Sequence, residues 1–359
     1  MRSRIPFFAA TALVTVAAAG CMQAGGGGGG QKDSSTSGQV TLMAYTGIFQ
    51  DRYTKAVIKP FEKKYPNIDV TYQPSANSAK TLATLRGQRS NPTVDVAIMD
   101  VSVSDTGNEE KVLAPLDPKR VPNLKDVAER GKVPGHYGPA VTFDNLVLLY
   151  NTDAVKKDPT SWSALWNKKY AGKVAIPAAP DIQGLALTMI TDKLEGANYK
   201  DTIKPAVQRL SKLAPRVQTW DPNPDSYTMV INGSTDVSIG WNARAQTYHD
   251  QSKGKLGVVI PKEGSVFQIN TINLVKDSPN SKAAQTFINY ALSPTAQAAF
   301  TNSMFYAPTN TKTKVSDEAL QRTATSPERQ KQMIDVDWGL VAKHSDAWTR
   351  TWKRKIIGG

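Results

Sequence analysis

Val40, Leu42 and Ala44 alternate with polar neighbours, which predicts a strand once order begins near Gln39. Tyr53, Val57 and Phe61 then recur at every fourth position, the stripe of a helix with one buried face. A second strand is predicted over residues 68–72. Residues 94–99 are apolar except for Asp95, as expected of a parallel strand covered on both sides. Further strands are predicted over 145–151, 174–177, 236–241, 258–261 and 268–276. Ser281 is placed to cap a helix carrying Ala284, Phe287, Ile288, Ala291 and Leu292. Ser293 and Pro294 have the order of a cap and a first helical residue, and predict another helix. Strands alternating with helices predict an α/β layer fold.

The first 38 residues follow a different pattern. Arg2 and Arg4 precede a stretch, 5–19, that is apolar or small apart from Pro6, Thr11 and Thr15. The stretch ends Ala18-Ala19-Gly20-Cys21. A basic start, an apolar centre and a small-residue end are the order of a secretory signal, too short to span a membrane comfortably. With Cys directly after the small residues, the segment resembles a bacterial lipobox. That resemblance implies cleavage before Cys21, lipid on its sulfur, and a protein anchored to a membrane in the periplasm or on the outer cell surface. The alternative is an ordinary cleaved signal with an incidental Cys. Glycines 25–30 have no side chains to pack, so 21–38 is expected to be a flexible tether of about 20 Å root-mean-square reach. A phosphate-binding loop is excluded, because no strand precedes these glycines and no Lys-Ser or Lys-Thr follows in register.

With 359 residues the chain has room for two domains, and 40% hydrophobic against 21% charged residues is a globular balance. The net charge of +13 is spread along the sequence, with no basic arm longer than Lys353-Arg354-Lys355. Together with export, this argues for solvated surface rather than nucleic-acid binding, with a weak bias against cationic ligands. Cys21 is the only cysteine, so neither a disulfide within the chain nor a cysteine-ligated zinc is available. His136, His249 and His344 are too far apart in sequence for a His-x-x-x-His metal pattern. No Gly-x-Ser-x-Gly elbow is present, which argues against a secreted hydrolase. No cofactor and no metal are expected. Binding of an anionic polymer stays open as a function that salt would abolish.

Six phrases carry a resemblance. They are NLVLLYNTDAV (145–155), PTSWSALWNKKYAGKVAIP (159–177), DVSIGWNARA (236–245), VVIPKEG (258–264), SKAAQTFINYALSP (281–294) and YAPTN (306–310). In order and spacing the chain resembles the solute-binding proteins of bacterial ATP-driven (ABC) importers, the spermidine/putrescine-binding group in particular. The resemblance implies no enzymatic activity. It implies a two-lobe, periplasmic-binding-protein-like α/β fold of type II, with hinge-linked lobes closing on a ligand cleft. Lobe 1 would take residues 39–142 and 270–306, and lobe 2 residues 143–269 and 307–359. Crossings are expected near 141–144, 268–271 and 306–310. The implied partners are a small-molecule solute, ABC permease subunits and a membrane through the lipid anchor, with the protein itself a monomer. A ligand-sensing receptor with the same fold is the alternative.

The resemblance also directs attention to strand ends as ligand contacts. After the first strand come Tyr45, Thr46 and Gly47, with Thr46 where polyamine binders usually carry Trp. At the end of the 94–99 strand stand Asp100, Val101 and Ser102; Asp100 is either an amine ligand or a helix cap. After 174–177 come Asp181, Ile182, Gln183 and Gly184. Asp181 there is the carboxylate left to meet an ammonium, or the cap of the helix containing Leu185, Leu187 and Met189. Trp241 would pack on a ligand's carbon chain, against the alternative of a plain core residue. Asn270 and Gln268 stand where the relatives' Asp and Trp would stand, and Arg244 adds a guanidinium three residues past Trp241. Missing carboxylates and an added cation weaken the case for a polyamine, and open the cleft to an amino acid, a carboxylate or a phosphonate.

Overall fold

The computed structural model describes residues 33–334 and 336–359. The leader, Cys21 and the glycine run lie outside the described residues. Among the described residues eleven strands are formed: β1 Gly38–Tyr45, β2 Ile68–Ser75, β3 Val96–Asp100, β4 Leu113–Ala114, β5 Ala140–Asn151, β6 Val174–Ala175, β7 Val217–Thr219, β8 Val237–Trp241, β9 Leu256–Val259, β10 Ser265–Val275 and β11 Met333–Ile334. They hydrogen-bond in the order β2-β1-β3-β10-β5-β8-β6-β7, with β4 and β11 on β10 and β9 on β5.

The sheet has a parallel group at each end and an antiparallel pair in the middle. β1 is parallel to β2 and β3, and β6 is parallel to β7 and β8. The central strands β5 and β10 are the longest, and every residue of β5 is buried. Asp144 lies opposite Gln268 and Thr142 opposite Asn270, with a register shift between Asn270 and Thr271. Phe143 is also bridged to Ala307, so the three segments expected to cross the molecule run side by side.

Two large apolar cores flank this centre. One is built on Val40, Leu42, Phe49, Phe61, Phe287 and Phe300, the other on Trp162, Leu165, Leu187, Leu210, Val341 and Trp352. In the first core Tyr53, Val57 and Phe61 are buried along one helical face, as their spacing predicts. Phe49 stacks on Tyr53 at 5.4 Å, and Phe300 stacks on Tyr306 at 5.5 Å.

Several expectations shift. The residues before the helix Ser281–Ala291 place Asn280, not Ser281, at the cap position, and Asn280 makes no side-chain cap bond. The exposed backbone there is met instead by Asp33, whose carboxylate accepts from Lys282 N at 2.9 Å. Such a partner, 249 residues away in sequence, leaves no local signal. The 174–177 strand keeps only Val174–Ala175 in its ladder; Pro177 has no N–H to continue one. β9 begins and ends two residues before the predicted 258–261 segment. The terminal helix Trp338–Thr351 was not anticipated, nor were β7 and β11. Among the described residues, no helix is long and apolar enough to cross a membrane.

Candidate functional site

The C-terminal ends of β1, β3 and β8, and the turn after β6, converge on one cavity. Ligands of α/β sheets gather at such ends, where backbone groups leave the ladder and helices begin. The cavity is lined by Tyr45, Ser78, Asp100, Asp181, Gln183, Trp241, Arg244, Gln268 and Tyr306, among others, and measures about 500 Å³ including the part open to solvent.

Asp100 is the centre of a buried hydrogen-bond network. Its Oδ2 accepts from Ser78 Oγ at 2.6 Å and from Tyr45 OH at 3.3 Å, and its Oδ1 accepts from Gln268 Nε2 at 2.6 Å. Tyr45 OH also lies 2.9 Å from Asn270 Oδ1, and Asn270 Nδ2 donates to Thr142 Oγ1 at 2.9 Å. Asp100 makes no cap bond to the helix Val101–Glu109, so the cap reading of this carboxylate does not hold. Asp181 does cap: its Oδ1 accepts from Gln183 N at 2.9 Å at the start of the helix Ile182–Leu194. It also lines the cavity, so the two readings of Asp181 are compatible.

A glycine makes this capping turn possible. A Cβ on Gly184 would come within 2.4 Å of Ala179 N and 2.9 Å of Pro177 O. The helix start can approach the 177–181 turn only because position 184 has no side chain.

Burial and neighbouring charge set the electrostatics. Burial pushes Asp181 up to about 6, with Asp100 raising it further and Arg244 and the Gln183 N–H bond opposing. Burial raises Asp100 as well, against the hydrogen bonds from Ser78, Gln268 and Tyr45. Arg244 stays a cation among Tyr306, Tyr227 and Tyr45, with its guanidinium 5.5 Å from the centre of the Tyr45 ring. Its Nε is buried with no hydrogen-bond partner, as are Gln183 Oε1 and Gln268 Oε1. Buried polar atoms are nearly always paired, so unpaired ones lining a cavity are what a ligand would satisfy. One donor and two acceptors, beside two carboxylates and a guanidinium, can hold opposite charges at once.

The cavity brings together Tyr45, Asp100, Asp181, Gln183, Trp241 and Arg244. Asn270 sits behind Tyr45 and Gln268 and touches the site through both, its Oδ1 accepting from Tyr45 OH at 2.9 Å and from Gln268 Nε2 at 3.3 Å. Thr46 is exposed and lines a neighbouring, wider cavity. Ser102 is buried and lines, with Leu185 and Ser345, an adjoining cavity that shares Val103 and Ile182 with the first. Sequence reasoning did not assign Ser78 or Tyr306 to the site. Tyr306 opens the YAPTN phrase and was read only as a crossing; Ser78 has no local signal at all.

Residues 56–328 match the family described as bacterial extracellular solute-binding protein. The chain belongs to that family. The resemblance read from the six phrases therefore holds, and so does the non-enzymatic reading, since the family is one of binding proteins. The chain is 25% identical over 283 residues to the gamma-aminobutyric acid-binding protein of Pseudomonas aeruginosa, covering 76% of this chain and 77% of that protein. It is 29% identical over 214 residues to spermidine/putrescine-binding periplasmic protein 1 of Haemophilus influenzae, a match spanning 57% of this chain and 58% of the relative. Among solved structures, an ABC transporter protein from Clostridium perfringens superposes with a TM-score of 0.67 at 26% identity, over 88% of this chain and 99% of that one. The two-lobe α/β binding-protein fold is thus shared over nearly the whole of the described chain.

Proposed function

We propose that this extracellular solute-binding protein captures a small zwitterion, an ammonium and a carboxylate on one short skeleton, and delivers it to an ABC permease. The observation that carries this reading is the presence of Arg244 in the same buried cavity as Asp100 and Asp181. A guanidinium pairs bidentately with a carboxylate, and two buried carboxylates with the Tyr45 and Trp241 rings suit an ammonium and its methylenes. Nothing in a polyamine would balance Arg244, whose charge in a poorly solvated cleft opposes a second cation. The relative that binds gamma-aminobutyric acid, itself a zwitterion, supports this class over the polyamines of the other relatives.

Capture proceeds by lobe closure in this reading, with 39–142 and 270–306 moving against 143–269 and 307–359 about the β5–β10 pair. The protein works as a monomer held to the membrane through lipidated Cys21.

Calorimetry with 4-aminobutanoate, spermidine and succinate tests the ligand class. The zwitterion is expected to bind at least roughly tenfold more tightly than either of the others. Arg244→Ala should then cost about 2–5 kcal/mol, much of it from a ligand carboxylate left buried and unpaired. Submicromolar spermidine binding that Asp181→Asn abolishes would overturn the zwitterion reading. Tight succinate binding, unaffected by Asp181→Asn, would replace it with an anion site.

A further inference from the structure

The fold gathers charge that the sequence scatters. Residues 161–216 and 348–359 hold thirteen Lys and Arg against four Asp and Glu, while the rest of the chain is close to balance, with 31 basic against 27 acidic residues. Of the four carboxylates, Asp181 lines the ligand cavity, Asp192 is fully buried and Glu195 pairs with Arg209. Asp201 alone is left to offset the surface cations of these two stretches.

Contacts bring the stretches together at the β6–β7 end of the sheet. Trp166 Nε1 donates to Arg209 O at 2.9 Å, which fastens the 162–170 segment to the helix Lys204–Leu213. Ser211 Oγ donates to Lys355 O at 2.6 Å, which fastens the last turn, Trp352–Ile357, to the same helix. Lys168, Lys169, Lys212, Lys353, Arg354 and Lys355 are exposed on these neighbouring elements, and none has an ion-pair partner among the described residues. Like charges gathered without partners repel one another, and a surface of opposite sign relieves that repulsion. Ile357 stands at the end of the same turn. At 41% exposure it is the only large apolar side chain exposed among the described residues. Cations beside an exposed apolar side chain fit a bilayer surface, where headgroup phosphates meet the charge and the interface takes the apolar group. A soluble polyanion meets only the charge.

We propose that the basic face formed by 168–169, the helix Lys204–Leu213 and the turn Trp352–Ile357 docks on anionic lipid headgroups, with Ile357 entering the interface. The tether joins the body elsewhere. Asp33 and Ser35 are held against the helix Ser281–Ala291, which packs with Val40 and Leu42 of β1, one strand in from the other edge of the sheet. A lipid anchor and a basic surface are two signals that together hold a protein to a bilayer more firmly than either alone. Here they act from the two ends of the sheet, so both sides of the cleft stay at the membrane. The contact does not depend on which solute the cleft holds.

The test is sedimentation with vesicles, using a chain begun at residue 22 so that neither the leader nor Cys21 contributes. Both large apolar cores lie wholly at or beyond Val40, so this chain keeps the fold. Vesicles of phosphatidylcholine are compared with vesicles containing about 30% phosphatidylglycerol, at low salt and at about 0.5 M NaCl. The anionic vesicles are expected to bind roughly tenfold or more tightly, with most of that advantage lost at high salt. The triple variant Lys353→Glu, Arg354→Glu, Lys355→Glu should lose roughly tenfold or more in affinity. A matched variant, Lys55→Glu, Lys63→Glu, Lys119→Glu, reverses three exposed cations around the first core and should keep its binding. Ile357→Ser should weaken binding roughly threefold with the salt response unchanged. Equal binding to the two kinds of vesicle would overturn the proposal. Equal loss in the two triple variants would also overturn it, since net charge and not this face would then set the affinity. So would binding of polyphosphate with no binding to either vesicle.

Discussion

Asp181 shows how one residue carries a structural and a functional duty together. Its carboxylate caps a helix, and its cavity position pushes it up to about 6 through burial, with Asp100 adding to the shift and Arg244 opposing it. A raised pKa means that the folded protein favours the protonated form. The stabilising effect of that proton is present below the ordinary carboxylate range and is lost as pH rises toward about 6. A ligand ammonium acts the other way, favouring the ionised form. Binding of a zwitterion at pH 6 should therefore release protons, detected as heats that differ between buffers of different ionisation enthalpy. Affinity should fall as pH drops below about 6, and Asp181→Asn should flatten that profile while binding more weakly above it. At this scale the sequence was readable where a residue type is rare in its setting. Asp100 after an apolar run, Arg244 after a strand-end Trp and Asp181 before a helix each stood out. Ser78 did not, because a serine becomes informative only when its burial and its partners are known.

Element boundaries were legible where the chain's local chemistry decides them. Ser293 caps the helix Pro294–Met304, with its Oγ accepting from Ala296 N at 3.3 Å, as the Ser-Pro order predicts. Ser293→Ala should lower stability by about 1 kcal/mol in urea unfolding, with binding unaffected. Gly184→Ala is expected to behave differently. The added Cβ would collide with backbone at Ala179, so the 177–181 turn must shift and carry Asp181 with it. Ligand affinity should drop by roughly tenfold or more, a displacement of the carboxylate being felt directly at the charged head. The terminal helix carries a legible stripe that the sequence reading passed over: Trp338, Val341 and Trp348, with Trp352 and Ile356 just past its end, are buried at helical spacing, and Trp352 donates Nε1 to Thr188 Oγ1 at 2.9 Å. Trp352→Ala should cost about 3–5 kcal/mol by thermal or denaturant unfolding, though it lies outside the cavity.

For the whole molecule, the arrangement of two parallel groups joined by β5 and β10 places strand ends from both against one cavity. A ligand touching both Asp100 and Arg244 has more contacts when the two sides are together, so it should shift the population toward the closed form. Small-angle scattering is expected to give a smaller radius of gyration at ligand saturation, and an unchanged curve would argue against closure. Export and anchoring are tested separately. Cys21→Ser should move the protein from the membrane fraction to the soluble one, or leave an uncleaved precursor.

Alternation of strand and helix, the six phrases and the polar residues at strand ends were determined by the sequence alone, because each depends on neighbours within a few positions. The phrases also pointed to the family. Only the tertiary structure decided which polar residues face one another. Asn270 ended up behind Tyr45, Thr46 at the outer rim and Ser102 against another cavity, while Ser78 and Tyr306 joined the site. These placements follow from a register shift at Asn270/Thr271, from crossovers that bring distant strands together, and from the Gly184 close approach. Each couples residues far apart in sequence, so no local pattern encodes it.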